Sequence, residues 1–462
     1  MADLRFAAAL AVTALAGCAV GPDYVEPEPA LTDGFVEAVD GMYSDDSVPA
    51  HLWESFDDPD LDRLIELALR QNRTIAQALA TLNETRALSG LTLYSWFPTV
   101  GVGISYEESE QSPSDPFGPP GAGDTEVYRA GFDTSWEIDL FGSLRRQNAA
   151  IRQRVEADTA ALQAVQLSIV AEVAQAYFSL RGTQQRLLVQ EQNLQNLADN
   201  VEILENSLEA GRGTLLDVAR ARALERSLAA QLPRSRAALA TAEQRLAVLA
   251  ALPVDALRAE LTAGRTLPAV PAMVAVGTPE QWLRRRPDVL AAERRLAEAT
   301  SRVGVQVAEY YPKLTLVGDF GWTSDQRGDI GSSDAERWSL GPFISWRILD
   351  FGRIKQNVLA AEARADRAYA EFEQTLLLAI EEAENGLAGY RAATQTAAAL
   401  AEAVEESRTA STLARLRFVN GIADFLAVLD AERTMLELED QYAVALTDRT
   451  TSLAALYKAL GG

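Results

Sequence analysis

The chain writes one structural pattern twice, and the pattern joins two elements that seldom meet in a soluble enzyme. The first copy starts at Trp96-Phe97-Pro98. It runs through a stretch of alternating polar and apolar residues, crosses an acidic Pro/Gly-rich loop, and returns through a second alternating stretch ending in Trp136 to Gly142 (WEIDLFG). A very long Ala/Leu/Gln-rich helical pattern follows. The second copy starts at Tyr310-Tyr311-Pro312, ends its second alternating stretch in Trp346 to Gly352 (WRILDFG), and again enters a long helix. Trp136 recurs as Trp346 and Gly211 as Gly421, both 210 positions on, whereas Pro98 recurs as Pro312 after 214, so a small length change lies inside the strand–loop unit. Two strands and a helix far too long for a globular domain, duplicated, predict the parts of a membrane pore.

The alternation is the sharpest signal. Tyr128, Ala130, Phe132, Thr134, Trp136, Ile138 and Leu140 share one face; Arg129, Gly131, Asp133, Ser135, Glu137 and Asp139 share the other. A half-buried soluble strand alternates too, but seldom with charges so dense on one face and aromatics on the other. In a transmembrane barrel the apolar face meets lipid and the polar face lines water. Val100, Val102, Ile104 and Tyr106 behave likewise, as do Leu314, Leu316, Phe320 and Trp322. The last stretch, Arg337 to Leu349, is noisier, interrupted by Pro342 and Phe343. Trp96, Trp136, Trp322, Trp338 and Trp346 fit either interfacial girdles or ordinary core packing. The stretches have the ~9–11 residues of a tilted crossing, and the loops Glu107 to Glu126 and Thr323 to Glu336 are polar and acidic. Bacterial barrels need about eight strands or more, and open edges are not tolerated in lipid. Four strands therefore predict an obligate oligomer.

A first helix is expected over Leu61 to Leu93, with Asp57, Asp58 and Asp60 as cap candidates around Pro59, and its counterpart over Pro279 to Glu309. The long helix Leu144 to Glu209 would span on the order of 100 Å at ~1.5 Å per residue. Leu187, Leu194, Leu197, Val201, Leu204 and Leu208 form a coiled-coil seam along it. The turn Ala210 to Thr214 reverses the chain into a return helix from Leu215 to about Ala250. In the second copy Arg353 to Val419 is followed by the turn Asn420 to Asp424 and a return helix to about Leu460. Glycine at each turn is what a left-handed helix C-cap demands.

Composition narrows the function. With 42 Lys and Arg against 66 Asp and Glu, the net charge is −24, which argues against nucleic acid as partner, since that needs clustered cations. The best basic run, Arg284-Arg285-Arg286, reads as a solvated face before a helix start. One Cys and one His rule out an internal disulfide and all but rule out a Cys/His metal cage or a His-dependent triad, leaving carboxylate-only catalysis open in principle. His51 reads as a surface residue. No cofactor, phosphate-binding glycine loop or paired-carboxylate motif is found, so no enzyme is expected. Beyond the N-terminus no run of about 18 apolar residues exists, which excludes a membrane-spanning helix but not a barrel.

The first residues form an address label: Arg5, then an apolar Phe6 to Ala16 too short to span. Leu15-Ala16-Gly17-Cys18 resembles a bacterial lipoprotein signal, which implies cleavage after residue 17 and a lipid on Cys18; an ordinary signal peptide with a chance cysteine is the alternative. A lipid adds membrane affinity per buried methylene. Residues 18–59, rich in Pro, Asp and Glu from Tyr24 to Pro49, read as an extended strap rather than a packed element. Repeat 1 then spans 60–265 (β-hairpin 95–140, helical hairpin 144–250) and repeat 2 spans 266–462 (β-hairpin 310–350, helical hairpin 353–460).

Six segments carry a resemblance across nearly the whole chain: Cys18 to Tyr24 (CAVGPDY), Trp53 to Leu61 (WESFDDPDL), Arg286 to Val289, Tyr311-Pro312, Leu349 to Gly352, and Gly421 to Arg433 (GIADFLAVLDAER). Together they resemble the TolC-like outer membrane efflux factor family, in its OprM/NodT-type lipoprotein branch. The resemblance implies a membrane α+β fold. A homotrimeric transmembrane β-barrel with four strands per protomer would continue into a long periplasmic α-helical barrel. It implies docking of the hairpin tips (Gly211, Arg212, Gly213, Thr214, Asn420 and Gly421) on a periplasmic adaptor, or membrane fusion, protein and an inner-membrane RND-type pump. Acidic residues near the second turn narrow the periplasmic mouth in this family. Asp430 matches the aspartate of the family's L-D-A motif and Asp424 the position past the glycine; Asp217 is the candidate in the first copy. A further family aspartate is Ala427 here, and tyrosine and arginine latch positions appear as Phe418 and Ala423. The closed state would then rest on acidic repulsion and apolar contacts. For Asp430 and Asp217 a solvent-facing helix residue is the competing reading.

The expected function is a passive exit duct for drugs or other small toxic compounds in a tripartite efflux system of the bacterial outer membrane, in contact with outer membrane lipid. A type I protein secretion duct is the nearest alternative. A periplasmic coiled-coil scaffold lipoprotein without a pore is the rival from another class.

Overall fold

The alternating stretches become four antiparallel strands, and the two Ala-rich stretches become helices of 67 residues each. The computed structural model describes residues 19–28, 34–38, 41–44, 46, 52–110, 124–261, 266–271 and 273–461. Cys18, His51 and the signal-peptide reading lie outside these residues. In chain order the elements are β1 (Tyr43–Ser44), α1 (Pro59–Gln71), α2 (Arg73–Tyr94), β2 (Thr99–Glu110), β3 (Asp124–Ile138), α3 (Ser143–Glu209), α4 (Leu215–Ala229), α5 (Leu232–Ala250), α6 (Val254–Glu260), β4 (Val274–Ala275), α7 (Pro279–Arg285), α8 (Pro287–Ala308), β5 (Lys313–Ser324), β6 (Glu336–Ser345), α9 (Arg353–Val419) and α10 (Phe425–Ala459). They fall into two compact units, each drawing on both halves of the chain: Met1–Glu28, Thr81–Thr159 and Ala291–Glu373 form one, and Pro29–Ala80, Ala160–Leu290 and Gln374–Gly462 the other.

The first unit holds the sheet, ordered β2-β3-β5-β6. The two copies meet where β3 pairs with β5, with Phe132 opposite Phe320 and Gly131 opposite Gly321. These glycines let the strands close: a Cβ on Gly321 would lie 2.4 Å from the Ala130 carbonyl oxygen. The register lines Val102, Phe132, Phe320 and Trp338 into one row and Val100, Thr134, Gly318 and Leu340 into the next. This apolar face is open: Ile104 is 83% and Trp338 72% exposed. On the opposite face Arg129 pairs with Glu107 at 3.1 Å, and Asp319 accepts from Arg337 and Ser339. The outer edges of β2 and β6 have no strand partner among the described residues.

The structure corrects several sequence readings here. The hairpin arms reach Glu110 and start again at Asp124, so both ends of the presumed loop from Glu107 to Glu126 are strand. β3 ends at Ile138 and β6 at Ser345, short of Leu140 and Leu349. Pro342 does not break the alternation: it pairs with Leu316 and shares the apolar row side with Leu340 and Ile344, and only Phe343 is out of phase. β6 is an edge strand, where the missing proline N–H is tolerated.

Each strand pair is tied to its helix by polar contacts. The Trp136 indole donates to the Trp96 carbonyl at 2.9 Å, and Asp139 Oδ2 accepts from the Arg145 N–H at 3.0 Å at the start of α3. At the start of α9, Asp350 accepts from the Ile354 and Gly352 N–H groups at 2.7 and 3.0 Å. Those backbone donors hold its carboxyl below the usual range. The segment after Cys18 is docked rather than loose. Val20 N donates to Phe141 O, Arg146 clamps Val20 O and Gly21 O and pairs with Asp23, and Tyr24 donates to Glu293 at 2.6 Å.

The second unit explains the WESFDDPDL motif. Asp58 caps α1 through the Asp60 N–H at 3.0 Å and accepts from the Tyr177 hydroxyl at 2.6 Å. Asp60 receives the buried Arg181 guanidinium at 2.8 Å. The strap reading is corrected at Tyr43, which is buried, pairs with Val274 in a short parallel β1–β4 sheet, and donates to Leu387 O at 2.6 Å. The helix read as continuous from Leu61 to Leu93 is two helices. Asn72 is extended, its Oδ1 accepts from Thr74 N, and its Nδ2 donates to Leu249 O, so it ends one helix and caps the next. Pro287 splits the helix expected from Pro279 to Glu309, because the residue before a proline is pushed out of the helical region. The return helix from Leu215 breaks at Ala230-Gln231 just ahead of Pro233. Arg286 is not a solvated residue. It is 6% exposed and binds Asp288, Glu382 and the Ala459 carbonyl at 2.6–2.8 Å, because the helix break ahead of Pro287 turns it inward; Arg285 remains exposed.

Candidate functional site

Both helical hairpins of the second unit end in the same turn. At the first, Gly211 N donates to Leu208 O and Arg212 N to Ser207 O, both at 2.9 Å. At the second, Gly421 N donates to Phe418 O at 2.9 Å and Ile422 N to Arg417 O at 2.8 Å. This is the Schellman arrangement, and it requires left-handed backbone: φ is +72° at Gly211 and +68° at Gly421. Arg212 and Asn420 are exposed, and Asn420 Nδ2 donates to Leu416 O at 2.7 Å. Gly213 tucks against Leu208, leaving little room for a side chain.

The return helices start on side-chain caps at equivalent positions. Thr214 Oγ1 accepts from Asp217 N at 3.2 Å and donates to Asp217 Oδ2 at 2.5 Å; Asp424 Oδ1 accepts from Ala427 N at 3.2 Å. Asp217 and Asp424 are thus engaged in local caps. Asp430 is exposed and paired at 3.1 Å with Arg433, one turn on. No contact joins the three aspartates. Phe418 meets Phe425 edge to face at 5.3 Å. It packs on a small apolar cluster in which Val201, Leu204, Val218 and Ala221 of the first hairpin meet Phe425, Val428 and Leu429 of the second.

Above this cluster lies a polar ladder that the sequence reading missed. Glu432 of α10 is buried and accepts from Asn200 of α3 at 3.1 Å and from Arg415 of α9 at 2.5 Å. One heptad on, Glu439 accepts from Asn193 of α3 and Arg408 of α9, both at 2.9 Å. Beside it Asp440 takes the Arg186 guanidinium side on, from Nε and Nη2 at 2.6 and 2.7 Å, and accepts from Gln190 at 2.9 Å. The Asp440 hydrogen bonds raise the Arg186 guanidinium above even its ordinary range, against the opposing effect of burial. The signal available in the sequence was the seven-residue recurrence of Asn193/Asn200, Arg408/Arg415 and Glu432/Glu439. An open cleft of about 670 Å³ runs along the ladder, lined by Asn196, Arg408, Arg415, Leu416 and Met435 among others. Among the described residues no group of His, Cys, Asp and Glu is placed to hold a metal ion.

An open apolar strand face joined to long helical hairpins points to a family, and sequence comparison decides which. The pattern of the family described as outer membrane efflux protein matches residues 64–252 and 278–462. The chain belongs to that family. This outer membrane efflux protein is 30% identical over 462 residues to the solvent efflux pump outer membrane protein SrpC of Pseudomonas putida, covering 98% of this chain and 97% of the relative. It is 29% identical over 465 residues to nodulation protein T of Rhizobium leguminosarum bv. viciae, covering 100% and 94%. The solved outer-membrane channel OprN superposes with a TM-score of 0.90 at 37% identity, covering 96% of this chain and 99% of that one. SrpC is named as an outer membrane component of an efflux pump and OprN as an outer-membrane channel; neither name describes an enzyme. An outer membrane efflux channel is accordingly what this protein is, and the resemblance read from its motifs holds.

Proposed function

We propose that three copies of this efflux protein form one duct, each giving its four strands to a closed transmembrane β-barrel and its helical hairpins to a periplasmic tunnel. The observation that carries this reading is the sheet: an exposed, largely apolar face across four strands, with two edges unpaired among the described residues, is stable only in lipid and only when other strands close it. It also disfavours the poreless scaffold, which has no use for such a face. A lipid on Cys18 anchors the chain beside its barrel, consistent with the docking of Val20 on Phe141 at the end of the β3 segment.

The hairpin tips, from Gly211 to Thr214 and at Asn420 and Gly421, dock on a periplasmic adaptor protein and through it on an inner-membrane RND-type pump. The pump supplies the energy and the duct a water-filled path. Asp424, Asp430 and Asp217 line the mouth and Phe418 braces it. Asp430, exposed and held only by Arg433, is the residue most free to face the lumen. The cargo is small and toxic, as the solvent and toluene efflux names of two relatives suggest.

Deleting the gene and scoring susceptibility to solvents, dyes and antibiotics tests the export reading. Hypersensitivity reversed by the wild-type copy is expected, and unchanged susceptibility to every compound would sink it. Migration of the unboiled protein as a trimer tests the assembly.

A further inference from the structure

In a chain with 66 acidic and 42 basic residues, one cavity runs against the trend. It lies in the first unit, open and about 690 Å³ in volume, and Arg154, Arg295, Arg302, Arg364 and Arg367 line it against Glu298 and Glu371. Three of these arginines are answered locally. Arg154 meets Asp158 at 3.1 Å and Glu298 at 3.6 Å, Arg302 meets the same Glu298 at 2.8 Å, and Arg367 meets Glu371 at 3.4 Å. Arg295 and Arg364 are exposed and have no carboxylate partner among the described residues.

The duplication explains the imbalance. Arg154 and Arg364 stand 210 positions apart, the offset of the repeat. Each lies eleven residues past the start of its long helix, at Ser143 and Arg353, so both sit at one level, ~16 Å along α3 and α9. Asp158, which answers Arg154 one turn on, is replaced by Ala368 in the second copy. Glu298 has Glu84 as its counterpart at the offset of 214. A neighbouring copy would thus bring Arg364 one carboxylate at most, where Arg154 has two.

The segment after Cys18 shows which way the cavity faces. It lies on one side of α8: a Cβ on Gly21 would come within 2.5 Å of the Gly304 Cα, and Tyr24 donates to Glu293. That side is outward if the chain is to bring Cys18 to lipid. Arg295 and Arg302 are each two positions from one of these contacts, ~200° around the helix, and so project inward. This step rests on the reading of the protein as a lipid-anchored trimeric duct.

We propose that Arg295 and Arg364, with Arg154, Arg302 and Arg367 beside them, form an anion-binding girdle on the inner wall of the duct. Its ligands are small organic anions, sulfonates, carboxylates or phosphate esters, that carry an apolar body. Guanidinium edges match such oxyanions two bonds at a time, and Ile151, Ala299, Val305 and Ala361 offer the body an apolar wall. Arginines from three copies on a concave surface add their fields. Exposure keeps each contact weak, so an anion is held briefly and passed on, as conduction requires.

The test uses purified full-length protein and pyrene tetrasulfonate, a fluorescent anion too polar to enter detergent micelles. Anisotropy at low salt should show saturable binding to wild type, weakened about tenfold or more in Arg295→Gln/Arg364→Gln. Arg236→Gln, which removes a surface partner of Glu191 far along the chain, should stay within about twofold of wild type. The single variants Arg295→Gln and Arg364→Gln, each expected to weaken binding about threefold, serve if the double variant fails to run as a trimer. In planar bilayers the probe should lower the KCl current of wild type and spare that of the double variant, equally with and without phosphatidylglycerol in the lipid. Absent binding, or equal binding to wild type and the variants, would overturn the proposal. So would binding that leaves the current unchanged, which puts the cluster off the passage, or a block abolished by phosphatidylglycerol, which makes a lipid headgroup the occupant. Wild-type protein that carries no KCl current at all fails the duct reading itself, an outcome told apart from these by the anisotropy.

Discussion

The Trp136 indole donates to the Trp96 carbonyl at 2.9 Å, and 210 positions later Trp346 repeats the contact on Tyr310 at 3.0 Å. Each indole staples the end of a strand to the residue where that copy's strand unit begins. Such a bond is worth ~0.5–1.5 kcal/mol net. Trp136→Phe and Trp346→Phe keep an aromatic body and lose the donor. Each is expected to lower the temperature at which the folded form converts on unboiled gels, with the double variant close to additive. No shift in either would show that the contacts are incidental.

Gly211 and Gly421 face no steric crowding. Nothing lies within 4 Å of a Cβ built on Gly211 or Gly421, so the cost of a side chain there is backbone strain alone. Gly211→Ala and Gly421→Ala should each destabilise by about 1 kcal/mol, read as a fall in thermal midpoint by circular dichroism. Gly421→Asn should cost less, since asparagine tolerates the left-handed region better.

Asp430 is expected to set ion preference if it lines the mouth. Asp430→Asn removes one negative charge per chain and should shift the reversal potential in a KCl gradient toward weaker potassium preference. An unchanged reversal potential would leave Asp430 as a solvent-facing partner of Arg433.

Arg181 and Asp60 are nearly inaccessible, with side chains 1% and 2% exposed. Asp60→Ala leaves a buried guanidinium facing an apolar gap and should destabilise by ~3–5 kcal/mol, seen as loss of folded protein from membranes. The double variant Asp60→Asn/Arg181→Met should recover much of it. Equal loss in both variants would mean that packing, not charge, governs the site.

Acid should weaken the Arg286 cluster. Burial alone would raise the carboxyls of Asp288 and Glu382, but the Arg286 guanidinium, with Lys458 at Glu382, outweighs it and lowers both. A lowered folded value means that the stability is fully present above the unfolded range near pH 4 and is lost as pH falls through the folded values. Thermal stability should therefore be flat from about pH 7 to 5 and drop below about 4, and Arg286→Met should flatten that drop. An unaltered acid limb in the variant would assign it to other carboxylates.

Much of the fold was legible because it is local. Alternation in β3 assigns Phe132 and Asp133 to opposite faces whatever pairs with them, and Gly211 and Gly421 mark the turns because the backbone there admits little else. The same locality explains Asp217 and Asp424: both lie where a helix starts, Asp424 as its N-cap and Asp217 in the first turn as the partner of the Thr214 cap. The sequence by itself thus determined strands, turns, long helices and the open apolar face that demands lipid. What only the tertiary structure decided is who meets whom across hundreds of positions. Asn200 finds Glu432 and Arg186 finds Asp440 because two coiled hairpins settle in one register, and Arg286 is buried because Pro287 turns the chain inward. Periodicity says which residues share a face; only packing, which must find partners for buried charges such as Arg181 and Arg286, says which faces touch.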